Sequence, residues 1–129
     1  MAISQWITPY WPEDVASNVS GYEFPLFKFL DDSAANYPDN PFTVFNGASK
    51  TFAQVKDTAD RIAHFISQKG IQKGDKVAIF LPNIPQFPEI LFGILKSGAV
   101  AVNCNPVYTP PELNHQLKDS QAKMVFCMD

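Results

Sequence analysis

Val77-Ala78-Ile79-Phe80-Leu81 is an unbroken apolar run closed by Pro82-Asn83. Nothing polar alternates within it, so the run reads as a strand buried on both faces, as in a parallel sheet covered by helices. Pro82 has no N–H to give a ladder, and the strand stops there. Phe87 to Leu95 is apolar nearly all round, which describes a largely buried helix, and Gly98 terminates it. Ala99 to Val102 then reads as a second buried strand. Thr109-Pro110-Pro111-Glu112 combines a capping box with proline at the first helical position. Leu113 and Leu117 give that helix a narrow apolar side, and Met124 to Met128 forms a third apolar strand. Strand, helix, strand, helix, strand with short links is a βαβαβ unit, whose right-handed crossovers make a parallel sheet flanked by helices. The expected class is therefore α/β.

Working upstream, Thr51 and Gln54 form another capping box. Phe52, Val55, Ala59, Ile62 and Ile66 follow at helical spacing, with Gly70 in place to end the helix. This stripe reads as core. Before it, Phe42 to Phe45 and Ser49 to Phe52 flank Asn46-Gly47, a dipeptide that tolerates positive φ at both positions and signals a tight hairpin. A first helix is expected from Pro25, with Leu26, Leu30, Ala34 and Tyr37 on one face and Pro38 at its end. Residues 1–24 carry Trp6, Pro9, Tyr10, Trp11 and Pro12 without a period. They read as an irregular aromatic arm that needs a surface to pack on. The expected organisation is thus an arm over 1–24 and an α/β unit over 25–129.

Composition narrows the function classes. The chain has 129 residues, 46% of them hydrophobic, which is enough for a core and against disorder. The net charge is −3, from 10 basic and 13 acidic residues. No basic cluster or stripe stands out, which speaks against nucleic acid. The start has no basic segment followed by an apolar one, and no run of ~18 apolar residues occurs, so neither a secretory signal nor a membrane span is expected. Cys104 and Cys127 sit in apolar runs without C-x-x-C spacing and read as buried free thiols in a reducing compartment.

A search for catalytic machinery returns little. None of the six glycines forms a G-x-G pattern. The loop after the first parallel strand, Leu81-Pro82-Asn83-Ile84-Pro85, offers prolines where a phosphate cradle needs glycines and free N–H groups. His64 and His115 lie on different helices without metal-ligand spacing and read as structural or solvated. Glu13-Asp14 and Asp31-Asp32 are adjacent pairs that do not face each other on a helix, so they read as solvated faces. No G-x-S-x-G elbow is present. The expected assignment is no catalytic, no cofactor-binding and no metal-ligating residue.

Several segments resemble those of one known family, in its order. Gln72-Lys73-Gly74-Asp75-Lys76-Val77-Ala78-Ile79-Phe80-Leu81-Pro82-Asn83 resembles an early segment of the adenylate-forming acyl-CoA synthetases. Phe92-Gly93-Ile94-Leu95-Lys96-Ser97-Gly98-Ala99-Val100 is similar to their next helix and strand. Asn105-Pro106-Val107-Tyr108-Thr109-Pro110-Pro111-Glu112-Leu113 resembles the N-P-x-Y-T-x-x-E-L segment of their fatty-acyl branch. Tyr37-Pro38-Asp39 and Thr51-Phe52 match further positions, and Cys104 is a small departure.

The resemblance covers residues 25 to 129 and implies the N-terminal part of a long-chain fatty-acid–CoA ligase. Such an enzyme joins a fatty acid to ATP with Mg²⁺, giving an acyl-adenylate and pyrophosphate. Coenzyme A then displaces AMP to form the thioester. The family's phosphate loop, ribose-binding acid and catalytic lysine fall after the segments matched here. The chain alone is thus expected to be inactive, and the strand ending at Asp129 reads as the cut edge of a larger domain. The expected partners are a fatty-acid substrate and a second copy meeting through the N-terminal arm. The expected location is the cytoplasm, free or at a membrane surface. Two other readings stay open. One is an aryl-acid ligase or a peptide-synthesis adenylation domain of the same superfamily. The other is a freestanding, non-catalytic α/β binding domain.

Overall fold

A computed structural model describes residues 23–128. Most of the aromatic arm, with Trp6, Trp11 and Glu13-Asp14, lies outside the described residues. Helix α1 spans Phe27–Asn36, two residues later than expected. Pro25 instead makes the entering turn, its carbonyl accepting from the Lys28 N–H at 2.9 Å. Leu30 and Ala34 are buried, whereas Leu26 and Tyr37, the outer members of the expected stripe, are exposed. Tyr37 precedes Pro38 and has already left helical geometry, with φ −138° and ψ 54°.

Strands β1 (Pro41–Phe45) and β2 (Ala48–Thr51) form an antiparallel hairpin closed by Asn46 and Gly47, both at positive φ. Thr51 ends β2 and also caps α2 (Phe52–Gln68), so Phe52 starts the helix rather than ending the strand. The Thr51 hydroxyl accepts from the Gln54 N–H at 3.3 Å, and the Gln54 side-chain Oε1 accepts from the Thr51 N–H at 2.9 Å. Gly70, at φ 81°, turns the chain away after α2.

The βαβαβ unit follows: β3 (Lys76–Phe80), α3 (Gln86–Lys96), β4 (Val100–Asn103), α4 (Pro110–Ser120) and β5 (Met124–Cys127). The strands are parallel and ordered β4-β3-β5, with Ala78 opposite Val102 on one side and Val125 on the other. Val77, Ile79 and Leu81 turn one sheet face toward Ile66 of α2 and Ile90 and Ile94 of α3, which together form the main core. A second cluster joins Leu30, Val55 and Ala59 to the partly buried Phe42, Phe52 and Phe92. Phe42 meets both rings edge-on, with centroids 5.1 and 6.2 Å away.

Only the central strand meets the expectation of burial on both faces. Val77, Ala78 and Ile79 are fully buried. In β4 and β5 one face is open: Val100, Val125 and Cys127 are exposed, and α4 buries no residue completely. Period-2 geometry explains this, since these three residues share the sheet face opposite α2 and α3. Cys127 is therefore a correction to the expected buried thiol, while Cys104 is buried and both are free.

Candidate functional site

The topology itself locates a site. The chain steps from β3 to β4 through α3, then back past β3 to β5 through α4. Right-handed crossovers in opposite directions place α3 and α4 on opposite faces. The connections leaving β3 and β4 therefore diverge at the carboxyl ends of the strands, the side on which open α/β sheets bind ligands. A crevice of about 350 Å³ lies there, lined by Leu81, Ile84, Gln86, Ile90, Cys127 and Met128.

The walls follow from local sequence. Pro82 and Pro85 bracket a tight loop in which the Ile84 N–H bonds to the Pro82 carbonyl at 2.9 Å and the Phe87 N–H to the Ile84 carbonyl at 3.0 Å. Pro85 stands at the N-cap of α3, so no side-chain oxygen caps the helix. Glycines that turn the chain sit at the amino ends of the strands, where the Gly74 N–H, just before β3, bonds to the Gly98 carbonyl, just before β4, at 2.9 Å. The crevice is thus apolar with one amide, Gln86. That chemistry suits an apolar wall, not a phosphate.

The charged groups lie elsewhere and hold helices together. Lys96 is the last residue of α3, with only 10% of its side chain exposed. Its ammonium bonds to Asp31 of α1 and to Asp60 of α2, the latter at 2.5 Å. Lys56 also reaches Asp60, at 2.6 Å. Desolvation would raise the Asp60 carboxyl, but the hydrogen bonds from Lys56 and Lys96 outweigh it and hold the group below its ordinary range. Lys50 of β2 reaches Glu89 of α3 at 2.5 Å. Lys123 and the Gln72 N–H hold Asp75 below its ordinary range, at 2.7 and 2.9 Å. Glu112 is lowered by the Thr109 hydroxyl and N–H in the α4 capping box. Burial alone pushes the Cys104 thiol up.

Of the residues weighed from sequence, His64 is exposed on α2 with its Nε2 2.8 Å from Gln68 Nε2, and His115 is exposed on α4. The fold does not bring them together at the crevice. Asp32 pairs with Lys28 on the surface of α1. Asp31 is a correction to the expected solvated face, because it meets the nearly buried Lys96. Among the described residues no three His, Cys, Asp or Glu side chains converge as a metal site. Sequence reading missed Glu89, Lys50 and Lys96. The available signal was that Glu89 and Lys96 are lone charges in an apolar helix, and a charge in that setting requires a partner.

Residues 30–129 match the family described as AMP-binding enzyme. A long-chain-fatty-acid–CoA ligase of Escherichia coli O6:H1 is 39% identical over 122 residues, covering 93% of this chain and 22% of the relative. One of Bacillus subtilis is 37% identical over 124 residues, covering 96% and 22%. Among solved structures, a fatty acyl CoA synthetase of Mycobacterium tuberculosis superposes with a TM-score of 0.72 at 35% identity, over 77% of this chain and 20% of that one. The chain spans about a fifth of the length of these relatives. With the parallel sheet and its flanking helices in the same order, the chain belongs to the adenylate-forming AMP-binding enzymes.

Proposed function

We propose that this chain is the opening part of the adenylation domain of an ATP-dependent long-chain fatty-acid–CoA ligase. The reaction consumes a fatty acid, ATP and coenzyme A, passes through an acyl-adenylate with release of pyrophosphate, and yields acyl-CoA and AMP. Residues 25–129 act as sheet scaffold and as one apolar wall of the crevice at the carboxyl ends of β3 and β5. The observation that supports this best is the family match over residues 30–129, together with ligases of that name at 37–39% identity.

ATP phosphates and Mg²⁺ do not fit the described residues. The loop after β3 carries Pro82 and Pro85 in place of a glycine cradle, and among the described residues no three His, Cys, Asp or Glu side chains converge. Adenylation therefore depends on parts of the protein beyond these residues, and the 129-residue chain alone forms no thioester. A homodimer joined through residues 1–24 and a cytoplasmic location, free or at a membrane surface, complete the reading. No helix among the described residues is long and apolar enough to cross a membrane.

The test is acid-dependent AMP release by the intact protein with ATP, Mg²⁺ and coenzyme A, comparing palmitate with benzoate. Palmitate-dependent release, absent for the 129-residue chain, is expected. Preference for benzoate would move the assignment to the aryl-acid ligases. No release with any acid would overturn it, and thioester formation by the short chain would overturn its expected inactivity.

A further inference from the structure

The β1–β2 hairpin stands apart from the parallel sheet as a two-stranded sheet of its own. Neither strand has a fully buried residue, and every side chain from Val44 to Ser49 is exposed, Val44 at 72%. A two-stranded ribbon with so little burial is marginal on its own and belongs to the low-stability end of a fold.

The hairpin's base is well tied. The Phe52 N–H bonds to the Asn40 carbonyl and the Ala53 N–H to the Pro38 carbonyl, both at 3.1 Å. Phe42 is wedged between Phe52 and Phe92. The tip is not tied in this way. An open gap of about 270 Å³ separates Val44 and Phe45 from Ile84, Pro85 and Phe87 on the far side.

Between base and tip, Lys50 reaches Glu89 across 39 positions of sequence at 2.5 Å. The two ends of this pair differ sharply. Glu89 is 3% exposed, whereas the Lys50 side chain is 42% exposed. Glu89 lies in the first turn of α3, where the helix dipole favours an anion. A carboxylate so deeply placed still needs its counter-charge, because leaving it alone costs far more than an exposed pair is worth. Gln86 and Ile90, on either side of Glu89 in α3, line the crevice at the carboxyl ends of β3 and β5.

We propose that the Lys50–Glu89 pair is a latch, that the hairpin is a flap hinged at the Phe42 cluster, and that the flap opens as a unit while the parallel sheet stays intact. The latch couples the flap to the helix that walls the crevice. This rests on geometry alone and stands whether or not the protein is a ligase.

Native-state hydrogen exchange on the intact protein tests it, comparing amides of residues 41–51 with those of 76–80 across low denaturant concentrations. The hairpin amides are expected to exchange through an opening nearly independent of denaturant, and those of β3 only through global unfolding. Lys50→Met should speed hairpin exchange about tenfold or more, with β3 following by no more than the same factor because the pair is also lost on global unfolding, and Lys50→Arg should restore both. If wild-type hairpin amides follow global unfolding with the slope of β3, there is no independent flap and the proposal fails. It fails equally if Lys50→Met leaves hairpin exchange unchanged. Should Lys50→Met not fold, the wild-type comparison decides by itself.

Discussion

Gly93 shows how much one residue carries. It sits in the middle of α3, where alanine would ordinarily gain about 1 kcal/mol of helix propensity. A Cβ there would lie 2.5 Å from Ile62 Cγ2, 2.7 Å from Ile62 Cβ and 3.1 Å from the Ala59 carbonyl oxygen. Overpacking of that kind costs about 1–3 kcal/mol, so Gly93→Ala should be destabilising despite its propensity. Chemical denaturation checks this, and Ile62→Ala should relieve part of the loss in a double-mutant cycle. Asp60 gives a pH prediction. Its folded carboxyl titrates below the ordinary 3.8, so the unfolded chain takes the proton first as pH falls. Its contribution is full above that ordinary value and is lost as pH drops through it toward the folded one. Because the side chain is 44% exposed, the effect stays below ~1 kcal/mol. Asp60→Asn should flatten the acid limb of a stability–pH curve, and its difference from wild type should shrink as pH falls below the ordinary 3.8. Much at this scale was hidden from sequence. That Lys96 is a lone charge can be seen, but its partners Asp31 and Asp60 lie 65 and 36 positions away and depend on how three helices pack.

Elements were the most legible scale, because their signals are local. Thr51 with Gln54 and Thr109 with Glu112 start helices where capping chemistry puts them, and Asn46-Gly47 closes the hairpin with both φ values positive. The misplaced boundaries, at Pro25 and Phe52, fall where two local preferences compete. Pro25 suits a first helical position and also an entering turn, and Thr51 serves a strand and a cap at once. Thr51→Ala tests the second case. It removes the hydroxyl that accepts from the Gln54 N–H and should cost about 1 kcal/mol, read as a lower denaturation midpoint. The cost should fall on α2 rather than on the hairpin ladder, since the β2 backbone pairing does not use that hydroxyl. Site placement was less legible. The proline-rich loop showed what the crevice lacks, but the crevice itself arises from strand order β4-β3-β5, which no local pattern encodes.

At the scale of the whole molecule, the sheet face on α4's side is what remains to be accounted for, since α4 buries none of its own residues completely and leaves much of that face open. Val100, Val125 and Cys127 stand on that face, with Phe80 and Val102 only partly covered, and Met128 is exposed at the rim of the crevice. Apolar side chains so grouped on one sheet face call for a cover. Relatives of which this chain spans 22% have ample further chain to provide one. The two thiols turn this into a measurement. Cys104 is 5% exposed and its thiol is pushed up by burial, so it should react slowly with iodoacetamide in any form of the protein. Cys127 is exposed at the carboxyl end of β5 and should react quickly in the 129-residue chain. In the intact protein Cys127 should be protected by at least about tenfold, because alkylation then requires local opening of whatever lies on β5. Mass spectrometry of the alkylated peptides separates the two sites. Equal reactivity of Cys127 in both forms would mean that the additional chain leaves this face bare, and the sheet would then be a finished surface rather than the scaffold of a larger adenylation domain.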